Sequence, residues 1–208
     1  LLFLLAYSKL KAHDRTLRMA ETTLTQMRRG GIFDHIGGGF SRYSTDEKWL
    51  VPHFEKMLYD NALLIMSYTA AFKITKNPLY EDIIRRTADY ILRELTSPDG
   101  GFYCGQDADS DGVEGKYYLL SRGDAVSVLG EDDGGRFCSI YNIPDSGMGI
   151  PNRIGAPGTE WARDDERLKK LYNFRRERTH LVTDDKILTS WSSWAIIALA
   201  RAGYALQE

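Results

Sequence analysis

The spacing of apolar residues along the chain predicts two amphipathic helices, residues 14–29 and 78–95. In each segment the apolar positions recur every three or four residues, so they form one stripe along a helix. Asn77 is placed to cap the second helix, whose first turn accepts Pro78. The first helix is expected to end at the glycine pair 30–31, which can supply a left-handed cap.

Two other segments, 52–72 and 189–206, are apolar on nearly every side, so we expect helices that are buried all round. The alternation of half-polar with wholly apolar helices indicates an outer and an inner helical layer. A weak internal repeat supports this arrangement, because the Gly-Gly-Phe of residues 38–40 recurs at 100–102, each time after an amphipathic helix. The pattern predicts an all-α fold of helical hairpins, with a short β-hairpin excursion near residues 116–120.

Composition excludes several classes of function. The chain has 208 residues, 43% of them hydrophobic, which is enough for the core of a single domain over residues 1–208. Its 27 basic and 29 acidic residues give a net charge of -2, so we expect no nucleic-acid partner and no membrane partner. The apolar segment 1–7 is too short to cross a bilayer. Because a helix is already under way at residue 1, with no initiator Met, we expect the chain to be part of a longer protein.

The two cysteines, Cys104 and Cys138, form neither a C-x-x-C redox pair nor a zinc-type cluster. Free cysteines are usually buried small hydrophobes. We therefore expect two buried thiols in a cytoplasmic protein.

A dense group of polar residues precedes and begins the segment 52–72. On a helix there, His53, Lys56 and Asp60 would share one face. One interpretation is a structural cluster of ion pairs, Lys56 with Asp60 and with Glu55 nearby, since buried charges are usually paired. The other is the wall of a pocket, because the preceding loop adds further polar and aromatic side chains: Asp34, His35, Arg42, Tyr43, Asp46 and Trp49.

Glycines 37–39 would let a backbone or a ligand approach closely, but they lack the pattern of a phosphate-binding loop, so no nucleotide or other cofactor is expected. The aspartates at 107, 109 and 111 imitate the start of an EF-hand loop, yet Tyr118 stands where a bidentate glutamate is required. We expect no metal site. A turn with Asp107 or Asp109 facing a cleft fits better.

The segment 184–191 also has two interpretations. Asp184 or Asp185 can cap the following helix. Alternatively, Asp185 and Trp191 enter a cavity, where the indole offers a flat apolar face on which a sugar ring can stack.

Several of these blocks, taken in order, resemble the spermatogenesis-associated protein 20 family and its YyaL-like bacterial relatives. They are GGIFDHIGGGFSRYS at 30–44, VPHFEKMLYDN at 51–61, Gly101-Phe102-Tyr103, Asp107-Ala108-Asp109-Ser110, Glu114-Gly115 and Asp184-Asp185-Lys186-Ile187-Leu188. Together they span nearly the whole chain. At one position the sequence departs from the family pattern, because Trp191-Ser192-Ser193 stands where Trp-Asn-Gly is expected.

The resemblance implies a fold and a partner. The family couples a thioredoxin-like domain to an (α/α)6 toroid similar to six-hairpin glycosidases and N-acylglucosamine 2-epimerases. This chain would be part of the toroid, and the thioredoxin-like domain, which it lacks, would be a partner. Half a toroid would expose inner-helix residues such as Ile196 and Leu199, so we also expect a homodimer.

Two classes of function follow. A sugar-directed enzyme would use His35 and His53 as acid and base in an epimerisation, or two carboxylates among Asp60, Asp107, Asp109 and Asp185 in a hydrolysis. A saccharide would then be bound by the polar and aromatic residues Asp34, Arg42, Tyr43, Trp49, Lys56 and Trp191. The alternative is a non-catalytic binding or scaffold module that serves the thioredoxin-like domain.

Overall fold

Eight helices and nine two-residue strands are present in the described part of the chain, residues 1–156 and 160–208 of this computed structural model. The helices are α1 Leu2–Lys11, α2 Asp14–Arg29, α3 Leu58–Thr75, α4 Pro78–Glu94, α5 Arg122–Leu129, α6 Glu131–Ile140, α7 Glu166–Arg178 and α8 Thr189–Leu206. The strands are β1 Tyr43–Ser44, β2 Pro52–His53, β3 Lys56–Met57, β4 Gly105–Gln106, β5 Asp109–Ser110, β6 Val113–Glu114, β7 Leu120–Ser121, β8 Met148–Gly149 and β9 Thr183–Asp184. The predicted all-α class with small β excursions is confirmed.

The helices form two layers. Helix α3 packs against α1 on one side and α8 on the other, while α2 packs on α1 and α4 on α3. The inner layer is therefore α1, α3 and α8, and the outer layer is α2 and α4, joined as the hairpins α1–α2 and α3–α4. Their shared core includes Leu24, Ile65, Tyr68, Ile83 and Ala195.

The two outer helices occupy the predicted segments. Asn77 accepts a hydrogen bond from the Leu79 amide at 3.0 Å, and Pro78 opens α4. The end of α2 differs from the prediction, because Gly30 has φ -70° and is not left-handed. Glycine is needed there for space, since a Cβ on Gly30 would lie 2.1 Å from the Trp49 carbonyl oxygen.

The prediction that a helix begins at residue 52 is wrong. Residues 52–57 are extended, because β2 pairs with β1 and β3 pairs with β4. Their backbone groups are therefore used in β-ladder hydrogen bonds and not in a helix. Helix α3 begins at Leu58, whose amide donates to the Cys104 carbonyl at 2.8 Å. His53, Lys56 and Asp60 therefore do not share a helix face.

The burial of the inner helices is unequal. Helix α3 is buried on most sides, but α8 is buried only along Ser192, Ala195, Ala198 and Ala202, where it meets α3. Ile196 is 58% exposed. The expectation of all-round burial is thus wrong for α8, which is covered on one side only. Dimerisation through its exposed face stays a prediction. No helix in the described ranges has both the length and the apolarity to cross a membrane.

The internal repeat is visible in the backbone. Gly38 and Gly39 have φ of +75° and +79°, and Gly100 and Gly101 have +89° and +83°. Each pair turns the chain from an outer helix toward an inner one. Each following phenylalanine also forms a β-bridge with the segment before its turn.

A backbone clasp closes each repeat; we use this name for the hydrogen bonds from one inner-helix side chain to both backbone groups of the repeat's phenylalanine. Asn61, the fourth residue of α3, accepts from the Phe40 amide at 2.7 Å and donates to its carbonyl at 3.0 Å. Ser192, the fourth residue of α8, makes the same two contacts to Phe102 at 3.4 and 3.5 Å. Each clasp therefore fixes the first turn of an inner helix to the loop of its own repeat.

An excursion between β4 and β9 contains α5, α6 and α7 and has a separate core. Its buried residues include Leu120, Phe137, Tyr141 and Leu171. Cys138 lies in this core and Cys104 beside β4, and both thiols are free and buried, as predicted. Strand β4 pairs with β3 on one side and β9 on the other, so the excursion begins and ends at neighbouring strands of the same three-stranded sheet.

Candidate functional site

The first group of predicted site residues forms a buried ion cluster. Asp34 accepts hydrogen bonds from both terminal nitrogens of Arg175, at 3.0 and 2.5 Å, and from Lys56 Nζ at 2.8 Å. The Ile36 and Gly37 amides also donate to Asp34 Oδ1. Lys56 Nζ makes a further bond to the Gly38 carbonyl at 2.8 Å. All the charges in this cluster are therefore paired within the protein.

The electrostatics agree with this geometry. Burial alone would raise the pKa of Asp34, but the charges of Arg175 and Lys56 outweigh it and hold the pKa well below its usual value. Burial lowers the pKa of Lys56 to about 8 although Asp34 opposes the shift. Tyr90 and Tyr118 place their rings 4.5 and 5.0 Å from Lys56 Nζ and exclude water from it. Lys56 is thus in a buried ion pair, but its partner is Asp34, and no ion pair joins it to the expected Asp60 among the described residues.

His35 is also buried, and it lies apart from His53. Its side chain has 0% exposure, against 28% for that of His53, so the two histidines do not face a common solvent-accessible cleft. Burial, reinforced by the charge of Arg28, holds the pKa of His35 well below its usual value. Its Nε2 lies 3.1 Å from the Gly30 carbonyl oxygen. A neutral, enclosed ring is poorly placed to exchange protons with a ligand.

The glycines at 37–39 approach the protein's own helices. A Cβ on Gly38 would lie 2.3 Å from the Arg86 carbonyl oxygen, and one on Gly39 would lie 2.5 Å from the Tyr90 ring. Both neighbours belong to α4. These glycines allow the loop to pack closely on α4. The close approach that was expected for a backbone or a ligand is thus made by the backbone and side chains of α4.

The exposed residues form a continuous line of contacts. Glu114 Oε1, at the end of the β5–β6 hairpin, lies 2.8 Å from His53 Nδ1, and Glu55 Oε2 lies 3.6 Å from His53 Nε2. Arg42 donates to Glu55 at 3.0 Å. Tyr43 stacks on the His53 ring with centroids 5.1 Å apart. Both nitrogens of His53 are therefore oriented by carboxylates, and one face of the ring is covered.

The line continues to the first turns of two inner helices. Hydrogen bonds to Tyr59 and then to Glu55 raise the pKa of Arg42. Tyr59 meets Trp191 edge to face at 4.7 Å. Asp60 and Trp191 are the third residues of α3 and α8, so the repeat places them at the same end of the inner layer. We call the set Arg42, Tyr43, His53, Glu55, Tyr59, Asp60, Glu114 and Trp191 the inner-rim site.

Asp60 is the one member of the inner-rim site with an unpartnered buried oxygen. Its Oδ2 is buried and has no hydrogen-bond partner. Burial raises the pKa of Asp60 to about 6, with Arg42 opposing the shift and Glu55 adding to it. A cavity of about 420 Å³ lies against this carboxyl group and is otherwise lined mainly by apolar side chains of α1 and α3.

A second cavity of about 360 Å³ adjoins the same arginine. Tyr43, Asp46 and Trp49 line it, and Arg42 borders both cavities. Trp49 has φ +64° and so lies in a left-handed conformation that is unusual for a bulky residue. The structure thus brings Arg42, Tyr43 and Trp49 to one surface, and their role as the wall of a binding pocket stays a prediction.

The remaining predicted residues lie at exposed positions. Asp107 accepts from the Asp109 amide at 3.2 Å, which is a local turn contact. Asp185 is exposed beside the Asp184–Lys186 ion pair, and neither aspartate caps α8, whose N-cap is Leu188. Within the described ranges, no group of three or more His, Cys, Asp and Glu side chains is arranged to hold a metal ion.

Sequence analysis missed three contributors. Arg175 lies 141 residues from Asp34, and no local pattern marks it. Tyr59 and Glu114 belong to the quoted motif blocks, so those blocks were the signal that could have identified them. Glu55 was expected beside a pair of Lys56 and Asp60, whereas it contacts Arg42 and His53.

Comparison with known proteins confirms the resemblance. No family model matches the chain. Over 93% of its length the chain is 32% identical to spermatogenesis-associated protein 20 of Rattus norvegicus, and over 94% it is 31% identical to the Homo sapiens protein of that name. An uncharacterized protein of Caenorhabditis elegans is 32% identical over 95% of the chain. The chain spans 30%, 30% and 32% of the lengths of these three relatives.

Proposed function

We propose that this chain, which is similar to spermatogenesis-associated protein 20 over most of its length, provides a saccharide-binding site in which Asp60 exchanges a proton with the ligand. One observation carries the proposal. The Asp60 carboxyl group lies against a cavity of about 420 Å³, and one of its oxygens is buried without a partner. Buried polar groups in folded proteins are nearly always paired, so this unpaired oxygen singles out Asp60, whose partly exposed side chain lines the cavity.

The protonation of Asp60 fits acid–base work. A catalytic group is most effective when its pKa lies near the working pH, because both protonation states are then accessible. Burial brings the pKa of Asp60 to about 6, close to that condition. His53, held between Glu114 and Glu55, is the second candidate for proton transfer. In an epimerisation these two groups would act as acid and base.

The surroundings fit a sugar. Tyr43, Tyr59 and Trp191 offer aromatic surface, and Arg42 and Glu55 offer donors and acceptors for hydroxyl groups. Cavities of about 420 and 360 Å³ on either side of Arg42 are within the usual size range of ligand sites. For a hydrolysis, Glu55 would take the place of Asp107, Asp109 and Asp185 as the second carboxylate.

The test is the thermal midpoint of the chain against a panel of mono- and disaccharides, measured beside Asp60→Asn and His53→Ala. We expect at least one sugar to raise the midpoint of the wild type and of a surface control, Asp145→Asn, whose side chain is 96% exposed. The same sugar should not raise the midpoint of Asp60→Asn. Equal shifts in all proteins, or no shift with any sugar, would overturn the proposal.

A second candidate function is favoured by the buried cluster of Asp34, Lys56 and Arg175. Its charges are saturated by each other in a dry interior, so none of them is available to a ligand, as a purely structural role requires. In this case the chain would hold a thioredoxin-like domain that carries the chemistry. The sugar panel separates the two candidates, because a scaffold predicts no shift.

A further inference from the structure

We propose that Glu114 is a positioning residue that controls the inner-rim site. It holds the proton of a neutral His53 on Nδ1 and leaves Nε2 as the atom that takes a proton from the ligand. This inference rests on the proposed function and deepens it, because it names the reacting atom of His53 and the residue that prepares it. It follows from the hydrogen bonds around His53 and from the way the β5–β6 hairpin is held.

The two ring nitrogens of His53 have different surroundings. Nδ1 lies 2.8 Å from Glu114 Oε1, which is a hydrogen-bond distance, whereas Nε2 lies 3.6 Å from Glu55 Oε2, which is too far for a direct bond. The same Oε2 atom of Glu55 already accepts from Arg42 at 3.0 Å. Within the described ranges, Nδ1 is therefore the one nitrogen of this ring that has a hydrogen-bond partner.

This difference determines where the proton lies. A neutral imidazole carries one N–H group and one lone pair, and an ionised carboxylate can only accept. Nδ1 is therefore the donor toward Glu114, and the lone pair is left on Nε2. The hydrogen bond made by one nitrogen generally decides which form a histidine adopts. Nε2 of His53 is thus free to act as a base.

The proton transfer then has a defined direction. A C–H or O–H bond of the ligand breaks, its electron pair stays on the ligand, and a new N–H bond forms at Nε2. The ring becomes an imidazolium with Glu114 on one side and Glu55 on the other. Glu114 accepts from Nδ1 throughout, so it acts through His53. An aspartate has the same role beside the histidine of serine proteases.

Glu114 is itself held by contacts on two sides of its hairpin. Ser110, in the paired strand β5, donates to the His180 carbonyl at 2.6 Å, just after α7. Gly115 has φ +75°, and a Cβ on it would lie 2.4 Å from the ring of Phe54. The Phe54 amide also donates to Glu114 Oε1 at 3.4 Å. The excursion and the segment before α3 together determine where this carboxylate lies.

The experiment measures the tautomer of His53 by nitrogen NMR spectroscopy of the isotope-labelled chain. The protonated and unprotonated nitrogens of an imidazole have clearly different chemical shifts. The spectra are recorded at about pH 8, the upper end of the range in which histidines change charge. His53 is one of four histidines, so its signals are assigned by their loss in His53→Ala. We expect the Nδ1–H form to predominate in the wild type.

Variants test the role of the carboxylate. Glu114→Leu removes the acceptor and should lower the ratio of the Nδ1–H to the Nε2–H form about tenfold, the effect of one charge-assisted hydrogen bond. Glu114→Gln keeps an acceptor oxygen without the charge, so its ratio should fall less. Glu166→Leu is the matched control, because the Glu166 side chain is 77% exposed and pairs with Lys169. The control should leave the ratio unchanged.

A second measurement adds the ligand. A saccharide that raises the thermal midpoint of the wild type should shift the Nε2 signal of His53 more than the Nδ1 signal. In Glu114→Leu the same saccharide should lose this selectivity, because the lone pair is then no longer confined to Nε2.

The outcomes separate this inference from the proposed function. A ring of the Nε2–H form in the wild type, or an unchanged ratio in Glu114→Leu, would overturn the inference even if a saccharide binds. A saccharide that shifts the Nδ1 signal alone would also overturn it. If no saccharide binds, the proposed function fails, and the tautomer ratio of the free chain still decides whether Glu114 positions His53.

Discussion

The backbone clasp of the first repeat offers the sharpest test of how the inner helices are positioned. Asn61 is fully buried, and both backbone groups of Phe40 depend on it. Asn61→Ala would leave that amide and that carbonyl buried without partners. Each such group costs about 1–3 kcal/mol, so we expect the free energy of unfolding to fall by about 2–5 kcal/mol.

The second clasp allows the opposite experiment. Ser192 is shorter than asparagine, and its two contacts to Phe102, at 3.4 and 3.5 Å, are at the limit of a hydrogen bond. Ser192→Asn restores the residue of the family pattern and should shorten both contacts toward those of the first clasp. We expect a gain of about 1 kcal/mol, the net value of one good hydrogen bond.

The assay is urea unfolding followed by circular dichroism, with the denaturant slope checked for constancy. Ser193→Asn is the matched control, because the Ser193 side chain is next to Ser192 in the sequence but is exposed, and it donates a hydrogen bond to the Thr189 carbonyl of its own helix. The control should change the free energy of unfolding by less than about 0.5 kcal/mol. A loss below about 1 kcal/mol in Asn61→Ala, or a destabilised Ser192→Asn, would refute the idea that the clasps contribute to stability.

Two further predictions concern charge. Lys56→Met removes one of the two cations paired with Asp34 and should lower the free energy of unfolding by about 3 kcal/mol in urea titrations. Asp34→Asn added to the same chain should recover part of this loss. Additive effects of the two substitutions would argue against a coupled cluster. For Asp60, burial raises the folded-state pKa to about 6 from 3.8, so the protonated form stabilises the fold at low pH and this stability is lost as the pH rises through about 6. Asp60→Asn should therefore be more stable than the wild type at pH 7 by about 1–2 kcal/mol, allowing for partial exposure, and less so at pH 5; urea titrations at both values check the sign.

The helical layers were predictable because they depend on local periodicity. The stripes of α2 and α4, the Asn77 cap and the repeated Gly-Gly-Phe are all properties of neighbouring residues. The start of α3 was not predictable in this way. Residues 52–57 contain no helix breaker after Pro52 and lead directly into α3, but their backbone groups pair with strands β1 and β4, one of which lies about fifty residues away.

The residues of the candidate site were predictable only in part, because some of them are marked by local pattern and others by distant contacts. The block of polar residues near Asp60 was visible in the sequence, and most of its exposed members do meet at the inner-rim site. Sequence could not separate these from Asp34, His35 and Lys56, because burial is decided by distant partners such as Arg175. A pattern shows which residues are unusual, whereas tertiary contacts decide which of them reach solvent.

The bond between Asp34 and Arg175 has a consequence for how the molecule opens. Arg175 belongs to α7 in the excursion, while Asp34 belongs to the segment between α2 and α3. If α7 detached alone, Asp34 would lose its bidentate partner while remaining enclosed beside Lys56, and an under-compensated buried charge is strongly unfavourable. Local opening of the excursion is therefore coupled to the rest of the fold, and the helices on either side of this bond should lose their structure in one cooperative transition.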